Sequence, residues 1–286
     1  MLFALFFGSG NLIYPPTMGQ KAGSEILPAM IGFLITGAGL PLLGVLAIAY
    51  SNSRDIQDLA SRAGKAYGII FSVVLYLAIG PFFVAARNGA VAFDIAIKPF
   101  LGADSNHQLI LGVFTVLFFA VSYWLSVSPG KLVDRVGKVL TPALLVTIAI
   151  LVVYAAFNPM APLQAPVPDY AASPFTKGLI EGYGTMDALA SLVFAIIVID
   201  AVRGMGYEKK EEVISLTARA GIIAIAFLAI VYAFVAYLGA TSVGKIGLQE
   251  NGADVLAKAA HIYFGSVGNV LLAVIVLLAC LSTSVG

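Results

Sequence analysis

Four groups of residues in this chain have types and spacing that could do chemistry. Gly8-Ser9-Gly10-Asn11 interrupts the first apolar run, with Pro15-Pro16 close behind. Glycine, serine and asparagine are poor helix-interior residues, and the prolines remove the donors for the Asn11 and Leu12 carbonyls. A second interruption, Gly182-Tyr183-Gly184-Thr185-Met186-Asp187, stands in the sixth apolar run; Ser282-Thr283 end the eighth, and Arg87 and Asp94 lie inside the third. In hydrocarbon an open backbone N–H or C=O costs several kcal/mol, so a polar break at that depth must be buried in protein or line a cavity. The half-helix ending near Phe7 points carbonyls at the gap and attracts a cation, while the half starting near Asn11 offers amides to a carboxylate. A small zwitterion with a metal cation fits both ends.

Each group also has a plainer reading. Gly8 to Asn11 could be a kink where helices cross closely, although the two prolines favour a binding break. The Ser282 and Thr283 hydroxyls either bind a cation or bond back to their own helix. Asp187 would bind an ammonium group, carry a proton or hold the amides of its own break. Arg87 and Asp94 are seven residues apart and share a helix face, as a structural pair or a gate.

The elements that must position these residues are membrane helices. Hydrophobic residues make up 60% of the 286 and charged residues only 11%, far from the roughly one quarter charged of soluble domains. The expected fold class is all-α and polytopic, embedded in a lipid bilayer. A net charge of +1, with no basic cluster, excludes an electrostatic case for nucleic acid. Gly204-Met205-Gly206 lacks the strand and helix context of a nucleotide loop, so no organic cofactor is expected. His107 and His261 have no second ligand at useful spacing, and Cys280 reads as a small packing residue.

Eight segments are expected: 1–17, 27–50, 66–97, 108–127, 139–157, 176–202, 218–240 and 267–286. Short surface helices are expected in 51–65 and 253–262. Only seven residues precede Gly8 and the chain is still apolar at Gly286, which reads as a fragment of a longer protein. Sorting the loops by alternation puts Arg54, Arg62, Lys65, Lys131, Arg135, Lys138, Arg203, Lys209, Lys210 and Arg219 on one side. Lys21, Lys98, Lys177, Lys245 and Lys258 fall on the other. The positive-inside rule then places the N-terminus in the cytoplasm. Segments one and six, both broken, are five spans apart and cross in opposite directions, the pattern of an inverted five-helix repeat. Residues 1–158 would form the first repeat (five spans) and 159–286 part of the second (three spans).

The stretches Leu2-Phe3-Ala4-Leu5-Phe6-Phe7-Gly8-Ser9-Gly10-Asn11-Leu12-Ile13-Tyr14-Pro15-Pro16, Gly182 to Ala190, and Ala279-Cys280-Leu281-Ser282-Thr283-Ser284 resemble the branched-chain amino acid:cation symporter family. That family belongs to the amino acid, polyamine and cation superfamily with the leucine transporter fold. The resemblance implies import of leucine, isoleucine and valine across a bacterial inner membrane, coupled to Na⁺ or H⁺ by alternating access. It implies a Na⁺ site from the carbonyls of Ala4, Phe7 and Ala279 with the hydroxyls of Ser282 and Thr283, five uncharged oxygens that suit a hard cation. The substrate carboxylate would meet the amides of Ser9 and Gly10, beside Asn11. Its ammonium would face the carbonyls around Tyr183, Gly184 and Thr185, beside Asp187, and Phe7, Tyr183 and Met186 would form the apolar pocket. The rival classes are a transporter of another amino acid or small zwitterion, a membrane-embedded enzyme and a channel. The enzyme lacks HExxH, GxSxG or paired intramembrane histidines, and the broken helices favour a transporter over a channel. Oligomeric state is not specified.

Overall fold

A computed structural model describes residues 1–51, 53–102, 105–127 and 133–286, with the side chains of 133–135 left aside. Lys131 and the Arg135 side chain, assigned above to the basic face, lie outside the described set. Fourteen α-helices are described: α1 Leu2–Phe6, α2 Ser9–Ala22, α3 Ile26–Leu34, α4 Leu40–Ser51, α5 Ile56–Ser61, α6 Lys65–Leu77 and α7 Val84–Ala96. They continue as α8 His107–Ser126, α9 Thr141–Phe157, α10 Pro168–Ala172, α11 Pro174–Gly184, α12 Asp187–Gly204, α13 Lys210–Ile246 and α14 Gly252–Val285. No strand occurs among the described residues, so the all-α membrane class stands.

Among the described residues, six continuous helical stretches are long and apolar enough to cross a membrane, and the bent pair α11 and α12 makes a seventh. The first stretch, Ser9–Ser51, has 43 residues, roughly 64 Å of helix at 1.5 Å per residue, about twice the ~30 Å hydrocarbon core. Gly23 divides it at φ 50 and ψ −120, outside any helix, so α2 and the α3–α4 pair are separate. With that division the helices coincide with the eight expected segments. π-helical turns join α3 to α4 at Ile35–Gly39 and α6 to α7 at Ala78–Phe82, where Gly80 is non-helical. Short helices occur in both expected stretches, as α5 and as the first part of α14, which breaks at Gly265 with φ 60.

Two faces separate. On one, Ser53, Arg203 and Lys210 line a common crevice and Arg62 donates to the Ser51 carbonyl at 2.6 Å. On the other, the 158–174 connection meets the Gly23 turn, with Val167 donating to the Lys21 carbonyl and Ser24 to that of Gln164, both at 2.9 Å. There the Gln249 amide also donates to Gln20 Oε1 at 2.8 Å. This grouping matches the alternation of basic and less basic loops among the described residues.

Between the faces, α2 lies along α13, α11 along α3, α12 along α4 and α14 along α7. Two of these crossings bring backbone against backbone. A Cβ on Gly178 would stand within 3.0 Å of the Ala29 Cα, and one on Gly239 within 2.8 Å of the Pro16 Cα. Small residues at such crossings let dispersion contacts and interhelical bonds form where lipid offers no hydrophobic drive. Thr36 adds one, its hydroxyl donating to the Leu179 carbonyl at 2.7 Å.

Candidate functional site

The first break is narrower than the sequence suggested. Only Phe7 (φ −73, ψ 83) and Gly8 (φ −114, ψ −158) leave the helical region, and Ser9, Gly10 and Asn11 form the first turn of α2. Asn11 explains the difference. Its side-chain oxygen accepts the Gly8 N–H at 2.8 Å, which satisfies an amide at the break and starts the helix there. Pro15 and Pro16 are carried inside α2.

The second break is also shorter. The carbonyl of Gly182 accepts from the Thr185 hydroxyl at 2.9 Å, and that of Tyr183 from the Met186 amide at 3.0 Å. These bonds extend α11 through Gly184. Met186 then bends the chain at φ 68, a left-handed conformation that costs an ordinary residue roughly 1–2 kcal/mol. The axes of α11 and α12 differ by 42° across it. Asp187 opens α12, where a carboxylate faces the positive end of the helix dipole.

The breaks meet through buried polar groups. The Asn11 amide donates to Asp187 Oδ2 at 2.5 Å and also contacts the Tyr232 hydroxyl, and that hydroxyl donates to the same Asp187 oxygen at 2.8 Å. Asn11, Asp187 and Tyr232 are all buried, so segments one, six and seven share one hydrogen-bonded node. Asn88 on α7 holds the other side of the first break. Its Oδ1 accepts from the Ser9 hydroxyl at 2.6 Å and from the Ser9 amide at 3.2 Å, and its Nδ2 donates to Ser284 Oγ at 3.2 Å. The Ser9 amide, assigned above to a carboxylate, is therefore engaged by a side chain.

Arg87 and Asp94 do not pair. Seven residues is about 10.5 Å along a helix, and Asp94 instead meets Lys98 one turn away at 3.4 Å on the surface. Arg87 reaches across to the second break, donating from Nη1 to the Gly184 carbonyl at 3.0 Å and from Nη2 to the Thr185 carbonyl at 2.9 Å.

At the other end of the first break α14 closes on α1. Ser282 Oγ donates to the Ala4 carbonyl at 2.7 Å and lies 3.0 Å from the Ala279 carbonyl, so three of the five proposed cation ligands converge. Thr283 Oγ1 donates to the Leu5 carbonyl at 2.8 Å, and a Cβ on Gly8 would come within 2.8 Å of it. The Phe7 carbonyl makes no described contact with these hydroxyls. The donor set is oxygen-only and uncharged, and Ser282 is fully buried, so the residues fit a hard monovalent cation.

The space between the breaks, about 10 Å³, is bounded by Phe6, Gly8, Gly10, Met186, Asp187 and Phe194 among others and admits no amino acid. A neighbouring cavity of about 210 Å³ shares Val84, Asn88, Ala190, Phe194 and Thr283 with it. Met186 lines the inner space as expected. Phe7 and Tyr183 do not: the Phe7 ring stacks on Phe3 at 5.3 Å, and Tyr183 is half exposed. Phe6 and Phe194, edge to face at 5.5 Å, stand in their place.

Comparison with known proteins adds an independent line. The sequence description "Branched-chain amino acid transport protein" matches residues 1–286. The chain is 48% identical over 286 residues to the branched-chain amino acid permease BrnQ of Bacillus subtilis, covering all of this chain and 65% of that protein. It is also 48% identical to BraB of the same organism and 42% identical to the branched-chain amino acid transport system 2 carrier protein of Pseudomonas aeruginosa, in each case covering all of this chain and 64% of the relative. The chain thus spans a little under two thirds of the length of these relatives.

Proposed function

Because the chain belongs to the branched-chain amino acid transport protein family over residues 1–286, we propose that it forms the substrate-binding part of a secondary transporter. The substrate is leucine, isoleucine or valine, imported with Na⁺ by alternating access across a bacterial inner membrane with the N-terminus cytoplasmic. On this reading residues 1–158 and 159–286 are inverted repeats, the second partial. The observation that carries it is the node Asn11–Asp187–Tyr232, which fastens two interrupted helices at one depth. A break in one span could be a kink; two breaks bonded to each other enclose a site. The apolar wall of Phe6, Met186 and Phe194 suits an aliphatic side chain that needs no ionic partner.

Na⁺ is the cargo of the oxygen cluster at Ala4, Ala279 and Ser282, with Thr283 and the Phe7 carbonyl completing the proposed set. Its binding draws α14 onto α1, and so links cation occupancy to the shape of the first break. The reading is tested by radiolabelled leucine uptake into vesicles holding the full-length protein. Accumulation is expected only with an inward sodium gradient. Accumulation driven by a proton gradient alone transfers the coupling to H⁺, with the buried Asp187 carboxylate as the group concerned. A conductance above carrier turnover overturns the transporter in favour of a channel.

The double substitution Ser282→Ala, Thr283→Ala removes two of the five oxygens. The sodium concentration for half-maximal uptake is expected to rise roughly tenfold or more, with the protein still present in the membrane. An unchanged sodium dependence refutes the cation assignment.

A further inference from the structure

The carbonyls that end α11 are the seat assigned to the substrate's ammonium, and they are already taken. Arg87 covers both Gly184 and Thr185 with its two terminal nitrogens. Its guanidinium also presses on the first break, since a Cβ on Gly10 would lie 2.6 Å from Nη2. One side chain from α7 therefore ties α2 to α11 across the site.

We infer that Arg87 is a resident cation occupying the amine's seat, that it holds the empty site shut, and that an arriving amine displaces it. The inference rests on the transporter reading above. The negative end of the α11 dipole attracts a guanidinium or an ammonium alike, so the two compete for one pair of carbonyls.

Two features make Arg87 displaceable rather than permanent. Its Nε is buried with no hydrogen-bond partner, and the guanidinium forms no ion pair among the described residues. A buried donor left unmade weakens the hold of the whole group. The Tyr14 ring, 5.6 Å from the guanidinium carbon, and the nearby Asp187 carboxylate favour the guanidinium in its present seat, so an arriving amine must outcompete both. Finally, α7 begins just after the non-helical Gly80, where an added Cβ would meet nothing within 4 Å, so the helix that carries Arg87 has an uncrowded joint at its base. Recognition of the amine thus becomes the event that opens the site.

The test uses the full-length protein in vesicles, with millimolar guanidinium chloride as the probe. In Arg87→Ala the free guanidinium ion is expected to take the vacated seat and raise the KM for leucine about tenfold, the worth of one charge-assisted hydrogen bond, while the wild type is unmoved. Arg87→Gln, which keeps a donor and the side chain's bulk, is expected to respond in the same direction. Indifference of both variants, or recovery of lost uptake on adding guanidinium, overturns the inference, since a structural strut would be rescued rather than inhibited. The wild type provides a check independent of variant folding. The keto-acid analogue of leucine, lacking the amine, is expected not to compete for uptake, and competition equal to leucine's overturns the inference. Absence of leucine uptake by the wild type overturns the transporter reading and this inference together, competition by the keto acid removes the amine seat on which the inference rests, and the outcomes with the two variants bear on Arg87 alone.

Discussion

Asp187→Leu is expected to abolish leucine uptake and to lower the thermal unfolding midpoint of the purified protein by many degrees. The carboxylate accepts from Asn11 and Tyr232 at one oxygen, in a region where all three residues are buried. Leucine leaves two donors unmade at about 1–3 kcal/mol each, a large part of the ~5–15 kcal/mol by which folded proteins are stable. Asp187→Asn separates structure from charge, because an amide oxygen can accept from both donors. Its stability is expected to stay near wild type while uptake falls sharply. Normal stability of Asp187→Leu would show that the two breaks are not joined through this residue.

The second large effect is expected at Gly178. In an open helix, alanine is favoured over glycine by about 1 kcal/mol, so a substitution to alanine should stabilise wherever there is room. Gly178 has none, since its Cβ would run into the backbone of Ala29 on α3. Overpacking costs roughly 1–3 kcal/mol or more against a rigid neighbour, which outweighs the propensity gain. Gly178→Ala is therefore expected to reduce the folded fraction and unfolding midpoint. Gly112→Ala on α8, where an added Cβ meets nothing within 4 Å, is expected to be neutral or slightly stabilising. Equal behaviour of the two, by fluorescence-detected size exclusion and thermal unfolding, would refute the close crossing of α11 and α3.

The sequence made the helical class and the two breaks legible, for one reason, while the meeting of α14 with α1 was expected from the family resemblance alone. Glycine, proline and hydroxyl residues are conspicuous in an otherwise uniform apolar run, and Gly8, Met186 and Ser282 stand where such signals cluster. The partners of the breaks were harder to read. Asn88 follows the more conspicuous Arg87, Tyr232 is a lone hydroxyl in an apolar segment, and no local spacing connects either to Ser9 or Asp187. A tyrosine hydroxyl in the middle of a span does need a partner, and that was the available clue. The Arg87–Asp94 pairing failed because sharing a face is not the same as being within reach. The same gap between face and reach puts Phe6 rather than Phe7 on the inner space, which a difference of one residue at the end of a half-helix is enough to do, while Phe194 comes from the next helix, α12, in place of the half-exposed Tyr183.

The backbone crossings have a mechanical consequence. Where α2 meets α13 and α11 meets α3, no side chain stands between the chains to act as a lubricating layer, and α12 packs along α4 through the Ser191 side chain against Gly44. These helices would have to travel as one solid block, since sliding any of them would lift carbonyl off glycine. Relative displacement is left to α7 and to the part of α14 beyond Gly265, which pack on each other and follow the joints at Gly80 and Gly265.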